Sequence, residues 1–156
     1  MNTDSAKTPT LLVVDDDVVV CALIERLATD MGFTVVRESD GRAALAALPS
    51  LRPDGAVINV ALPGLDASSV LAEVKSVDPH SQVILTTTSG SIGSAVDAIK
   101  AGALDYISKP LDVDRFLDLL VTVRKSVERR EMLLRIDADV ARQFEFYGLI
   151  GRSPGM

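Results

Sequence analysis

The sequence predicts a doubly wound α/β domain built on a parallel sheet. Short apolar runs alternate with stretches of helical period. Those runs are apolar at successive positions, as suits strands covered on both faces. The helical stretches open on Asp or Ser and stop at Gly or before Pro. Five strands alternating with five helices imply parallel pairing and right-handed crossovers.

The elements follow in order. Leu11 to Val14 is the first strand, bounded by acids. Val18 to Met31 follows Asp17 as N-cap and ends at Gly32, so it reads as the first helix. Phe33 to Val36 is the second strand. Gly41 to Leu48 follows Asp40 and is expected to stop before Pro49. Ala56 to Ile58 continues to Asn59 as the third strand. Ala67 to Val77 lies between Asp66 and Pro79 and reads as the third helix. Gln82 to Thr87 is rich in β-branched residues and is the fourth strand. Ile92 to Ala101, after Ser91 and before Gly102, is the fourth helix. Leu104 to Ile107 is the fifth strand, and the last helix begins after Asp112.

That last helix has a pattern of its own. Val113, Phe116, Leu120, Val123, Val127 and Leu134 fall at three- and four-residue steps with a break at Arg130, which fits either a short coiled-coil seam or an amphipathic helix packing on its own domain, so that Phe116 and Leu120 are helix-packing or dimer-core residues. A helix from Asp112 to about Phe144 would be ~50 Å long, at about 1.5 Å per residue. One small domain cannot cover that length, so the helix is expected to pair with a second copy. The tail from Phe146 is punctuated by Gly and Pro and reads as a linker.

Composition narrows the chemistry. The 156 residues carry a net charge of −6, with 47% hydrophobic and 24% charged residues, an ordinary globular mix. The acidic balance argues against a nucleic-acid surface on this chain. A lone Cys21 excludes disulfide frameworks and cysteine-cluster zinc sites, and a lone His80 excludes multi-histidine metal sites. Cys21 is expected in the core and His80 on the surface. No apolar run approaches the roughly 18 residues of a membrane span. Residues Met1 to Pro9 lack a signal peptide's apolar stretch, and the expected location is cytoplasmic. Any metal site would use oxygen ligands.

In a parallel sheet the strand C-termini share one edge, where such folds bind ligands. The first strand ends in Asp15, Asp16 and Asp17, the third at Asn59, the fourth at Thr87, the fifth in Ser108, Lys109 and Pro110. Clustered carboxylates need a cation, and few hard oxygen ligands favour Mg2+. A lysine and a threonine beside them suit a phosphate.

The blocks LLVVDDD (Leu11–Asp17), RPDGAVINVALPGLD (Arg52–Asp66), VILTT (Val83–Thr87) and AIKAGALDYISKP (Ala98–Pro110) carry a resemblance. Together they resemble the receiver domain of response regulators over about residues 9 to 123. The tail GLIGRSPGM (Gly148–Met156) resembles the start of the AAA+ domain in NtrC-type sigma-54-dependent activators. The resemblance implies a CheY-like, flavodoxin-like fold with strand order 2-1-3-4-5. It implies residues 1–8 disordered, 9–123 as receiver, 124–147 as linker helix, and 148–156 as the opening of a truncated AAA+ domain. By the same resemblance, Asp16 is a direct Mg2+ ligand, Asp15 acts through water, and the carbonyl of Ala61 is the third protein ligand. Thr87 becomes the switch hydroxyl, Tyr106 the aromatic that changes rotamer, and Lys109 the lysine that meets the phosphoryl group. Gly64 lies in the loop after the acceptor.

The implied partners are a sensor histidine kinase or another regulatory protein, and a second copy bound through the fifth helix and linker. AAA+ and DNA-binding domains would follow in the intact regulator.

One residue departs from the family pattern. Asn59 stands at the phosphoacceptor position, where the chemistry needs a carboxylate nucleophile. An amide forms no acyl phosphate, and the lost negative charge weakens any Mg2+ site. The expectation is a receiver that is not phosphorylated in the usual way, and not an enzyme. Thr88 and Ala67 also depart from common family choices. An introduced block and a naturally degenerate receiver both remain open as origins of Asn59. Two rival classes are a Mg2+-dependent phosphohydrolase, which needs a nucleophile where Asn59 stands, and a flavodoxin-like cofactor domain. The second would want a Gly/Ser/Thr loop where Asp15–Asp17 stand; the Thr86 to Ser94 loop is the alternative anion site.

Overall fold

The computed structural model describes residues 8–62, 66–90 and 92–150. Five parallel strands form one sheet in the order β2-β1-β3-β4-β5. They are β1 (Thr10–Val14), β2 (Thr34–Glu38), β3 (Gly55–Asn59), β4 (Gln82–Thr87) and β5 (Asp105–Ser108). The helices are α1 (Val18–Asp30), α2 (Gly41–Leu51), α3 (Ala67–Val77), α4 (Ile92–Lys100) and α5 (Val113–Ile150). This is the predicted doubly wound architecture, with five strands and five helices in the expected order.

The alternation along β1 shows how the layers are made. Leu11 and Val13 join a cluster with Cys21, Ile24 and Ala28 of α1 and Phe116, Leu120 and Val123 of α5. Leu12 and Val14 face the other way, into a cluster with Ala44 and Leu48 of α2 and Val70, Leu71 and Val74 of α3. Both faces are therefore dry, which is why the strands read as continuous apolar runs. At the base of the sheet, buried Asp54 accepts a hydrogen bond from the Thr10 amide at 2.8 Å and fixes the start of β1.

Caps set the helix starts. Asp17 accepts from the Val19 and Val20 amides, Asp40 from the Arg42 amide, and Asp66 from the Ser68 amide. Beyond α1 and α4 the chain turns through Gly32 (φ 92°) and Gly102 (φ 109°), left-handed positions that glycine takes without strain. The predicted N-cap of α4, Ser91, lies outside the described residues.

Two expectations about helices are corrected. Helix α2 does not stop before Pro49 but runs on to Leu51. A proline so close to the end removes one hydrogen bond of the last turn, and buried Leu48 holds the preceding turn on the sheet. Of the two readings of the last helix, packing on its own domain holds for the first half and the seam does not. Phe116, Leu120 and Val123 are fully buried in their own domain's core, so they are not available to a second copy. The periods of a coiled-coil seam and of a helix lying on a sheet coincide over three turns.

The chain divides into two compact units, one of them Thr8–Arg124 and the other including the residues from Lys125 onward. Within the first, Arg115 grips Asp105 with two nitrogens, tying α5 to β5, and Arg124 donates to the Met31 carbonyl at the end of α1. In the second, α5 continues as helix and exposes Met132, Leu133, Leu134, Ile136 and Val140. Residues 1–7 and 151–156, and with them the expected disordered start and most of the expected AAA+ opening, lie outside the described residues. Among the described residues no helix is long and apolar enough to cross a membrane.

Candidate functional site

Residues from three strand ends meet at the C-terminal edge of the sheet. Asp15 follows β1 and is buried, with its amide bound to the Glu38 carbonyl at 3.1 Å. Asn59 closes β3 and is also buried, and Lys109 follows β5. Parallel pairing places the ends of β1 and β3 side by side, with Val14 in register with Ile58, and sets β5 beyond β4 on the same edge.

The Asp15 carboxylate is the hub. Its Oδ2 accepts from Lys109 Nζ at 2.7 Å, a pair in which the side chains are 9% and 2% exposed. Its Oδ1 accepts from Asn59 Nδ2 at 3.2 Å and from the Asp17 amide at 2.9 Å. Asn59 in turn accepts the Ala61 amide on Oδ1 at 3.0 Å. The amide orientation is forced: a flipped Asn59 would turn oxygen toward a carboxylate and NH2 toward an N–H. The site is a closed chain running from Lys109 through Asp15 and Asn59 to Ala61.

Other predicted residues stand nearby with different partners. Asp16 and Ala61 are exposed. Thr87 is buried; its Oγ1 accepts the Ser89 amide at 3.1 Å, and its carbonyl accepts the Lys109 amide at 2.7 Å. Tyr106 is half-buried and lies against the α2–α3 side of the core. Gly64 lies outside the described residues. Cys21 is buried as expected, and its Sγ donates to the Asp15 carbonyl at 3.3 Å. Burial first, and the Asp15 charge second, push its thiol above the ordinary value, so it stays an inert thiol at neutral pH. His80 is exposed in its loop, where its amide donates to Asp78.

Sequence reasoning missed two features. One is the Ala61 amide as a donor to Asn59, although an Asx residue bonding the amide two places on is a common turn and was a readable signal. The other is Gly90. A Cβ built there would lie 2.7 Å from Thr87 Cγ2 and 2.7 Å from Tyr106 Cε1. Its φ lies outside the left-handed region, so space rather than backbone conformation demands glycine. Gly90→Ala is expected to cost about 1–3 kcal/mol by overpacking. Adding Thr87→Ser, which removes the methyl, should recover part of the loss in urea unfolding.

Fold and site together define a signalling domain of the receiver type. Residues 11–121 match the response regulator receiver domain family, and the chain belongs to it. It is 36% identical over 147 residues to the transcriptional regulatory protein ZraR of Salmonella typhimurium, covering 94% of this chain and 32% of that one. The DNA-binding transcriptional regulator NtrC of the same organism is 30% identical over 144 residues, or 92% of this chain and 30% of that one. The chain thus spans about a third of the length of these curated relatives. Among solved structures, the beryllofluoride-activated NtrC4 receiver domain dimer superposes with a TM-score of 0.70 at 29% identity, covering 76% of this chain and 98% of that one. A Burkholderia pseudomallei response regulator carrying a phosphorylated aspartic acid, a calcium ion and citrate gives 0.66 at 26% identity, over 80% of this chain and 74% of that one.

The resemblance to receiver domains implies a divalent cation at this site, and the Burkholderia pseudomallei regulator carries a calcium ion. The side chains here suit one poorly. Both Asp15 oxygens already accept hydrogen bonds, one of them from an ammonium group. Among the described residues no group of three His, Cys, Asp or Glu side chains is placed to hold a metal. The expected carboxylate cluster thus consists of one buried carboxylate, Asp15, two exposed ones, Asp16 and Asp17, the latter engaged in capping α1, and the Asn59 amide.

Proposed function

We propose that this chain is the regulatory input domain of a sigma-54-dependent transcriptional activator, and that its phosphoacceptor position does not accept a phosphoryl group. The observation that carries this reading is Asn59. It sits at the end of β3, bonded to Asp15, which in turn pairs with Lys109. The lysine and carboxylate of a phosphorylation site are in place, and the nucleophile is an amide. Similarity to ZraR and NtrC across the whole receiver and beyond Arg124 supports the activator assignment.

In this reading the domain is regulatory and has no turnover of its own. Its output is a choice between two conformations, which any ligand binding one of them more tightly can shift. Thr87 and Tyr106 form the moving part next to α4. With Asn59 in place, control falls to a partner protein, either a sensor histidine kinase acting by docking alone or another regulator. Any Mg2+ is held weakly. The helix beyond Arg124 serves as linker and joins two copies through Leu133, Ile136 and Val140, spaced by three and four residues on an exposed stripe. AAA+ and DNA-binding domains complete the regulator, which works in the cytoplasm.

Incubation with acetyl phosphate and Mg2+, followed by intact-mass measurement, tests the central point. No mass gain is expected. A stable gain of one phosphoryl group that disappears in Asn59→Ala would overturn the reading.

A further inference from the structure

Among the described residues the buried charges of the pocket balance without a metal: they are one carboxylate, Asp15, and one ammonium, Lys109, 2.7 Å apart, while the neighbouring Asp16 carboxylate is exposed to solvent. Asn59 supplies what a second carboxylate could not. Its NH2 donates to Asp15 Oδ1 while its oxygen accepts the Ala61 amide. An aspartate could keep the second bond but would set oxygen against oxygen at the first, at a spacing of 3.2 Å in the present geometry. Two such carboxylates repel unless a cation joins them.

We propose that Asn59 and Lys109 together take the place of the divalent cation, making this receiver's pocket a self-neutralised lock whose stability is independent of metal. Lys109 is the resident cation, and Asn59 is the polar bridge that ties β1 to the β3–α3 loop. The inference uses the position of Asn59 within the receiver fold but not the proposed regulatory role. The domain can therefore be a metal-independent lock whether or not it controls an ATPase.

The lock is tested by thermal unfolding in EDTA and in excess Mg2+. The wild-type midpoint is expected to be the same in both. Asn59→Asp should melt about 5 °C lower in EDTA, the size of shift a lost interaction produces in a domain this large. Mg2+ should restore it, because the metal joins the two carboxylates. Asn59→Ala should also melt lower, since it loses the bridge, but Mg2+ should not restore it, since no charge was added. If Asn59→Asp does not fold in EDTA, Mg2+-dependent recovery of its far-UV circular dichroism reads the same dependence and supports the lock. The idea is overturned if Mg2+ raises the wild-type midpoint as much as that of Asn59→Asp. It is equally overturned if Asn59→Asp in EDTA is as stable as the wild type. Phosphorylation by acetyl phosphate, which decides the functional reading, leaves this comparison untouched.

Discussion

Leu120→Asp is expected to unfold the receiver. Leu120 lies on α5 with no exposed surface, among Phe116, Val123 and the β1 residues Leu11 and Val13. Truncating such a leucine to alanine costs about 2–5 kcal/mol. A carboxylate at the same place adds the cost of burying a charge with no partner. The sum, upwards of about 5 kcal/mol, matches the whole stability of an ordinary domain. Far-UV circular dichroism and urea titration should show a chain without a cooperative transition. A folded Leu120→Asp protein would mean that α5 does not hold the core as described.

The same helix carries a contrasting position. Leu133 is 55% exposed, so Leu133→Asp should leave the receiver's unfolding transition unchanged. If the proposed pairing holds, light scattering should give a dimer for the parent chain and a monomer for Leu133→Asp. An unchanged mass would reject the Leu133–Ile136–Val140 stripe as a dimer seam.

The difference between Leu120 and Leu133 marks what the sequence could reveal. Alternating runs and caps were enough for the order of elements, because Asp17, Asp40 and Asp66 each bond the first-turn amides as their positions suggest. The convergence of Asp15, Asn59 and Lys109 was also readable, since parallel strands leave their C-termini on one edge. The assignment of α5's apolar residues was not. A helix that lies on a sheet and a helix that pairs with a twin both place apolar residues every three to four positions, and only the position of the sheet separates Phe116 from Leu133. The amide orientation of Asn59 was hidden for a similar reason. It depends on the Ala61 N–H and the Asp15 carboxylate being on opposite sides of one side chain, a fact of geometry that residue spacing does not contain. Charge counting alone made the site a cation trap, whereas the ion pair with Lys109 already balances its buried carboxylate.

Lys109→Met should show how strongly that pair holds the pocket. Methionine keeps much of the lysine's length and removes the ammonium group, leaving the Asp15 carboxylate buried with two hydrogen bonds and no counter-charge. Breaking a buried pair by deleting one partner costs about 3–5 kcal/mol, most of it the penalty on the charge left behind. Urea unfolding should record this as a midpoint lower by about 2 M, at a slope of about 1.5–2 kcal/mol per M. The double variant Lys109→Met with Asp15→Asn removes both charges, and it should be more stable than Lys109→Met alone. Such a recovery separates the stranded carboxylate from a simple loss of packing around the lysine stem, which the second substitution would not repair. If the two losses simply add, the ammonium group is not what stabilises the Asp15 carboxylate, and Asn59 and the Asp17 amide hold it instead.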